Sequence, residues 1–138
     1  MRAEEYHVHP IGLVRSPLVD LDAAPRQGDE GAPNAELVVA PEYAEGLTGL
    51  QPGDTIVVLT WLDRAQRDVL RVHPRDDVDR PQQGVFSTRS ADRPNPVGLH
   101  RVQVLSIDGS TVRVGQLEAI DGTPIIDVKP VLGPTSGR

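Results

Sequence analysis

The sequence of 138 residues contains no cysteine, and its aromatic residues are few: one Trp, one Phe and two Tyr. Without cysteine the chain can form neither a disulfide bond nor a thiolate metal site. The core must consist of aliphatic side chains, and the β-branched ones among them favour strands. No apolar run is long enough to span a bilayer, and the first residues lack the apolar segment of a signal peptide. These absences predict a cytoplasmic protein with no membrane partner.

The common nucleotide-binding and hydrolase motifs are also missing. The sequence has no Gly-x-Gly-x-x-Gly, no Gly-Lys-Ser/Thr loop and no Gly-x-Ser-x-Gly. This argues against a dinucleotide-binding fold, a P-loop enzyme and the commonest serine hydrolases. His7 and His9 would share one face of a strand, as two metal ligands could, but no spaced set of carboxylates completes a site. We therefore predict that the chain binds no metal.

Short apolar segments separated by turn residues dominate what is present. The thirteen Gly and thirteen Pro predict frequent turns. Strands are predicted over residues 6–14, 36–40, 55–62, 69–73, 85–88, 102–107, 110–114 and 125–128. Residues 55–62 are nearly all apolar, which predicts a central strand buried on both faces. Asp108-Gly109 predicts a tight hairpin turn.

Two further segments complete the predicted architecture. Residues 41–50 begin with Pro and carry two Leu on one side, which predicts a short helix. Residues 20–36 are polar and are predicted to form a long surface loop. Strands at this spacing indicate a closed or nearly closed barrel. The fold class predicted is therefore mainly all-β, a single-domain β-barrel over residues 1–138 with a short helix and long loops.

The charge is unevenly distributed along the chain. The net charge of −6 argues against a nucleic-acid-binding protein held by charge alone. Residues 64–101, however, contain eight Arg against five Asp, a net charge of +3. Arginine suits the recognition of phosphate and carboxylate groups. This segment is either a solvated charged surface or a track for a polyanion.

Residues 89–99 form the first candidate site. Two prolines fix the backbone around Asn95, and Gly98 permits an unusual turn or the close approach of a ligand. Arg89 and Arg93 offer planar sets of donors that can hold a carboxylate or a phosphate. The segment is predicted to be either an anion-binding loop or a structural corner.

Residues 115–130 form the second candidate site. Glu118, Asp121, Asp127 and Lys129 lie here among apolar residues. Charged groups are costly to bury unless they are paired or bind a ligand. Asp127 with Lys129 or an Arg is a plausible structural ion pair, and a site for a cationic ligand is the alternative.

Four motifs, in the same order, resemble those of one family. They are PIGLVRSP at 10–17, PRQG at 25–28, GVFSTRS with RPNPVGL within 84–99, and DGTP with DVKP within 121–130. The family is the TsaA-like family, whose characterised members are tRNA adenine-37 N6-methyltransferases that act on threonylcarbamoyladenosine. The resemblance covers nearly the whole chain.

The resemblance implies a β-barrel methyltransferase that uses S-adenosylmethionine. It also implies a homodimer, a tRNA substrate and a cofactor bound near the subunit boundary. Arg89 would hold the methionine carboxylate, the backbone of residues 115–118 the adenine edge, and Leu99 the apolar part. The cofactor-binding residues that the resemblance implies are Arg26, Gln27, Asp63, Arg64, Arg89, Leu99, Gly115, Gln116, Leu117 and Glu118.

The substrate and the catalytic base are less well defined. The residues expected to contact RNA are Arg67, Arg71, Arg93, Asn95 and Lys129. No catalytic residue is assigned, and Asp121 and Asp127 are the two candidates for a base. Two alternatives remain: a methyltransferase on the same fold with a small-molecule acceptor, and a non-catalytic module that binds S-adenosylmethionine.

Overall fold

A computed structural model describes residues 4–19, 31–74 and 77–133, and strands are the main regular structure in them. This confirms the predicted mainly β fold class. The strands are β1 (Gly12–Arg15), β2 (Ala35–Val39), β3 (Thr55–Trp61), β4 (Arg71–Val72), β5 (Gln83–Gly84), β6 (Val97–Asp108), β7 (Thr111–Val114) and β8 (Pro124–Pro130).

Six of these strands close into a barrel in the order β1-β2-β7-β6-β3-β8. All neighbouring strands are antiparallel, and β8 returns to pair with β1. Closure leaves no strand of the barrel with an unpaired edge. The short strands β4 and β5 pair only with each other and form a separate two-stranded sheet.

The hairpin of β6 and β7 is the most accurately predicted element. Asp108 pairs with Thr111, so Gly109 and Ser110 form a two-residue turn. Gly109 has a positive φ of 60°, as the turns that match strand twist require. The turn lies one residue later than the Asp108-Gly109 pair predicted from the sequence.

Strand β3 is central, as predicted, because it pairs with β6 on one side and β8 on the other. The prediction that both of its faces are buried is wrong. Ile56, Val58 and Thr60 are buried, whereas the residues between them are only half-buried. In a small barrel one face of each strand fills the interior and the other faces outwards.

Five other sequence predictions need correction. Strand β6 begins at Val97, five residues before the strand predicted over residues 102–107. Residues 85–88 are not a strand: Val85–Ser87 form a 3₁₀ helix. The strand predicted over residues 6–14 begins only at Gly12, because Pro10 cannot donate a ladder hydrogen bond. The strand predicted over residues 69–73 is reduced to the two residues of β4. The short helix predicted at 41–50 is a 3₁₀ helix over Pro41–Leu47.

The barrel interior is mainly aliphatic, and none of the four Trp, Phe and Tyr residues is among the buried ones. Valine and isoleucine on the inward faces of the strands supply most of the core, and Leu117 and Ala119 join it from a loop. In the three described ranges, no helix is both long enough and apolar enough to cross a membrane.

Leu37→Ala tests the barrel core. Leu37 is buried on β2 within the core cluster. We expect the substitution to lower the free energy of unfolding by about 2–5 kcal/mol, because it removes buried methyl groups and leaves a cavity. Urea denaturation measures the loss. Leu70→Ala is the control, since Leu70 is 61% exposed, and a similar loss in both variants would contradict the assigned core.

Candidate functional site

One end of the barrel collects most of the predicted site residues. Because neighbouring strands are antiparallel, the last residues of β1, β3 and β7 lie at the same end as the first residues of β2, β6 and β8. We call it the site end. Asp63 and Arg64 follow β3, Arg93 and Asn95 precede β6, and residues 115–118 follow β7. Asp63 and Arg64 are exposed there.

Residues 115–121, the capping segment, run across this end of the barrel. The backbone N–H groups of residues 115–117 donate, in order, to the Gln103 carbonyl at 2.9 Å, to Asn34 Oδ1 at 3.2 Å and to the Pro33 carbonyl at 3.0 Å. Leu117 is fully buried and fixes the segment to the core. A ligand would therefore meet the carbonyl groups of this segment rather than these three donors.

The two candidate bases have different surroundings. Asp121 Oδ1 accepts a hydrogen bond of 3.0 Å from the Ser16 backbone, and the residue is exposed. Asp127 accepts from the Val128 backbone through Oδ1 at 2.8 Å. Its Oδ2 lies 3.5 Å from Lys129 Nζ, which is the ion pair expected from the sequence. Asp127 is thus engaged through both oxygens.

Arg67 and Asn95, both expected to contact RNA, are brought together. Arg67 Nη2 donates to Asn95 Oδ1 at 3.0 Å, and its Nε donates to the Pro94 carbonyl at 2.7 Å. The guanidinium also lies over the Trp61 ring, 5.2 Å from the ring centroid, which is a cation–π distance. Arg67 therefore fastens the segment before β6 to the end of β3.

Arg93 and Arg89 differ sharply although they lie four residues apart. Arg93 is half-buried, and its Nη2 donates to the carbonyls of Val85 and Thr88. Its buried Nε has no partner in the part of the chain that the structure describes. Arg89 is exposed, and no hydrogen bond or ion pair ties it to the described residues. Arg89 is therefore available to an anion, whereas Arg93 holds the 3₁₀ helix in place.

A chain of buried polar side chains, which the sequence analysis did not identify, lies inside the barrel at the site end. Thr60 Oγ1 lies 2.7 Å from His100 Nε2, and His100 Nδ1 lies 2.5 Å from Glu118 Oε1. Thr60 is fully buried, and His100 and the Glu118 side chain are 5% and 15% exposed. The alternation of buried residues along a strand could have identified two of them. Thr60 lies two residues after buried Val58, and His100 lies two residues before buried Val102.

Leu99 faces the opposite way from its neighbour His100. It pairs with Leu59 across β3 and is 44% exposed on the outer surface of the barrel. Glu118 is therefore held at the inner surface while Leu99 lies outside.

Arg15 and Glu36 form an ion pair beside a shallow groove at the site end. Arg15 Nε donates to Glu36 Oε1 at 2.7 Å, and both residues line the groove together with Arg113. The hydrogen bond from Arg15 lowers the pKa of Glu36 and raises the pKa of Arg15. The pair therefore contributes at neutral pH, and its contribution is lost as the pH falls through the lowered pKa of Glu36.

The remaining predicted residues lie elsewhere. Arg71 is exposed on β4. Lys129 pairs with Val57, towards the other end of the barrel from the capping segment. Arg26 and Gln27 lie outside the described residues.

Comparison with known proteins assigns the family. Residues 13–135 match the family of the tRNA-methyltransferase O N-terminal domain. The chain belongs to this family. The resemblance to a family of tRNA methyltransferases is thereby confirmed.

Relatives and solved structures agree with the family assignment. One relative is a "Probable S-adenosyl-L-methionine-binding protein" of Methanothermobacter thermautotrophicus. The two sequences are 46% identical over an alignment that covers 91% of this chain and 90% of the relative. A second relative is an "S-adenosyl-L-methionine-binding protein" of Archaeoglobus fulgidus. It is 43% identical to the chain, and the alignment covers 87% of the chain and 85% of the relative. A crystal structure of TrmO from Pseudomonas aeruginosa superposes with a TM-score of 0.75 over 98% of the chain, at 27% identity. The chain spans only 60% of that TrmO structure.

Gly98→Ala tests the buried polar chain. A Cβ at Gly98 would lie 2.4 Å from Thr60 Oγ1 and 2.7 Å from His100 Nε2, so those two groups could not keep their hydrogen bond. We expect a loss of about 1–3 kcal/mol in the free energy of unfolding. Urea denaturation measures it, with Gly46→Ala as the control, since a Cβ there meets nothing within 4 Å. Equal stability of the two variants would rule out this packing.

Proposed function

We propose that the chain is an S-adenosylmethionine-dependent methyltransferase that methylates N6 of threonylcarbamoyladenosine 37 in tRNA. It would act in the cytoplasm as a single TsaA-like domain within a homodimer. The observation that carries the proposal is the family match over residues 13–135. The two archaeal relatives, named for S-adenosyl-L-methionine binding and aligned over most of their own length, support the cofactor.

The residues at the site end fit this cofactor. Arg89 is exposed and its guanidinium has no partner among the described residues, which suits the methionine carboxylate. Carbonyl groups of the capping segment suit the amino group of an adenine. Leu99 offers exposed apolar surface to the remainder of the molecule.

The residues of the chain would act mainly by alignment. S-adenosylmethionine, when bound, supplies a methyl group on a positively charged sulfur, and the accepting nitrogen loses a proton. Of the two candidate bases, Asp121 is the better placed, because one of its oxygens has no partner among the described residues. Asp127 is occupied by Val128 and Lys129.

A track of exposed arginines would bind the tRNA backbone. Arg64 and Arg71 are exposed within the basic segment 64–101, and phosphate contacts from arginine supply affinity without reading sequence. Arg67 is tied to Pro94 and Asn95, and Arg89 is reserved for the cofactor carboxylate. Arg93 has a structural role in this arrangement, because its guanidinium is engaged by two carbonyls.

An apolar strip on the outer face of the barrel would form the homodimer contact. Val97 and Leu99 are exposed on β6, and their partners Trp61 and Leu59 on β3 lie beside them. Leu99 is also an implied cofactor residue, so a dimer formed on this strip would place the cofactor near the subunit boundary. The partner subunit would then contribute residues to the cofactor site.

A non-catalytic module that binds S-adenosylmethionine is the second candidate. It is favoured by the names of the archaeal relatives, which state binding only. A small-molecule acceptor on the same fold is the third. Transfer of a labelled methyl group from S-adenosylmethionine separates the three. We expect transfer to tRNA that carries threonylcarbamoyladenosine and none to tRNA lacking that modification; transfer only to small acceptors, or to nothing, would contradict the tRNA proposal.

Arg89→Ala tests the cofactor site. We expect it to weaken S-adenosylmethionine binding by about 1–3 kcal/mol, the usual effect of losing a charged hydrogen bond. Calorimetric titration measures the affinity and should give one cofactor per chain for the unaltered protein. Arg80→Ala, an exposed arginine of the same basic segment, should bind normally. Unchanged affinity in Arg89→Ala would remove Arg89 from the site.

Val97→Asp tests the dimer contact. A carboxylate in the middle of an apolar interface leaves a buried unpaired charge, so we expect the variant to sediment as a monomer where the unaltered protein sediments as a dimer. Val78→Asp is the control, because Val78 is exposed outside the strip. A dimer that persists in Val97→Asp would place the contact elsewhere.

A further inference from the structure

The carboxylate of Glu118 is held at one oxygen only. Oε1 is bound by His100 Nδ1. Oε2 accepts no hydrogen bond from the described residues, and it is not among the buried atoms that lack a partner. Oε2 therefore reaches the surface at the site end.

We propose that Thr60 and His100 are positioning residues that orient Glu118, so that its free oxygen accepts a hydrogen bond from the ribose hydroxyls of S-adenosylmethionine. The inference rests on the proposed function and names an inner pair of residues that lies outside the four motifs quoted above. Neither Thr60 nor His100 would touch the ligand.

The chemistry of the three groups fixes the direction of the chain. A carboxylate oxygen can only accept, so His100 Nδ1 must carry the proton and donate to Glu118. The Nε2 of that neutral tautomer is an acceptor, and it can receive the Thr60 hydroxyl proton at 2.7 Å. Every donor and acceptor of the imidazole is then satisfied inside the barrel.

Packing alone does not account for this arrangement. A buried polar trio contributes little over aliphatic residues of the same volume, and it is costly when one member is unpaired. Thr60 follows the buried Ile56 and Val58 on the inward face of β3. A Cβ at Gly98 would lie 2.4 Å from Thr60 Oγ1, so the trio requires glycine there. What the trio provides that aliphatic residues would not is a carboxylate fixed at the rim.

The position of Glu118 indicates the ribose as its target. The backbone of residues 115–118 is the expected contact of the adenine edge, and Glu118 is the last residue of that run. The ribose is attached directly to the adenine, whereas the methionine carboxylate would lie at Arg89. A carboxylate oxygen that accepts hydrogen bonds from hydroxyl groups suits a ribose.

A pair of variants at Thr60 tests the inference. Thr60→Val removes the hydroxyl at nearly constant shape, and Thr60→Ser keeps it while removing a buried methyl. If Thr60 orients Glu118 through His100, we expect Thr60→Val to bind S-adenosylmethionine about tenfold more weakly. Thr60→Ser should bind within about twofold of the unaltered protein. A merely structural role would make both affinities follow stability, which urea denaturation measures in parallel.

Glu118→Gln is the second part of the test, because it replaces the carboxylate at the rim with a neutral amide of nearly the same shape. The effects of Thr60→Val and Glu118→Gln on affinity should be strongly non-additive, since both would act through one oxygen. The preference of the unaltered protein for S-adenosylhomocysteine over an analogue without ribose hydroxyls should disappear in Glu118→Gln. In the ¹⁵N spectrum, His100 should show the Nδ1–H tautomer, and Thr60→Val should change its Nε2 signal.

The possible failures are distinguishable. If the unaltered protein does not bind S-adenosylmethionine, the proposed function and this inference fall together. If it binds, and Thr60→Val and Glu118→Gln keep its affinity, only the inference is overturned. Additive effects of the two substitutions, or an Nε2–H tautomer of His100, would also overturn the positioning role of Thr60 and His100. Neither result would contradict the cofactor site.

Discussion

Closure of the sheet is the constraint on which the rest of the molecule depends. Each barrel strand is paired on both sides, so a side chain points either into a narrow interior or away from it. Valine, leucine and isoleucine fill that interior where it is deepest. At the site end the capping segment completes the closure, and its buried Leu117 connects it to the same core. The polar chain lies just beneath this cap.

Much of the fold was predictable because strand signals are local. The Asp-Gly turn and the apolar runs predicted β3, β7 and β8 nearly in place, but only the second half of β6, which begins at Val97 and not at Val102. Burial on both faces of β3 was predicted wrongly, because an apolar run does not reveal whether its second face is covered by another layer. Val85–Ser87 looks like a strand by composition, but the carbonyls of this region are bound by Arg93 from eight residues away, a contact that no local pattern shows.

The site was predictable to a smaller extent. Family motifs selected residues around the site end, and the ion pair of Asp127 with Lys129 was one of the alternatives that the charges of this segment allowed. Motifs did not distinguish Arg93, which binds carbonyls, from Arg89, which is exposed. His100 was not identified because the predicted strand began only at Val102, whereas β6 begins at Val97, so its alternation with the buried valines was not recognised. Its partners Thr60 and Glu118 lie 40 and 18 residues away along the chain.

The length of β6 has a consequence for how sequences of this fold can vary. Its first half pairs with β3 and its second half with β7, and alternate residues face the interior and the outer strip. Adding or deleting one residue near Leu99 would exchange the two faces over the rest of the strand, moving an imidazole into the outer strip and a leucine beneath the cap. A length change in the two-residue turn at Gly109 would not move the side chains of β6 from one face to the other. Length changes should therefore be tolerated at the tip of this hairpin and excluded from its stem.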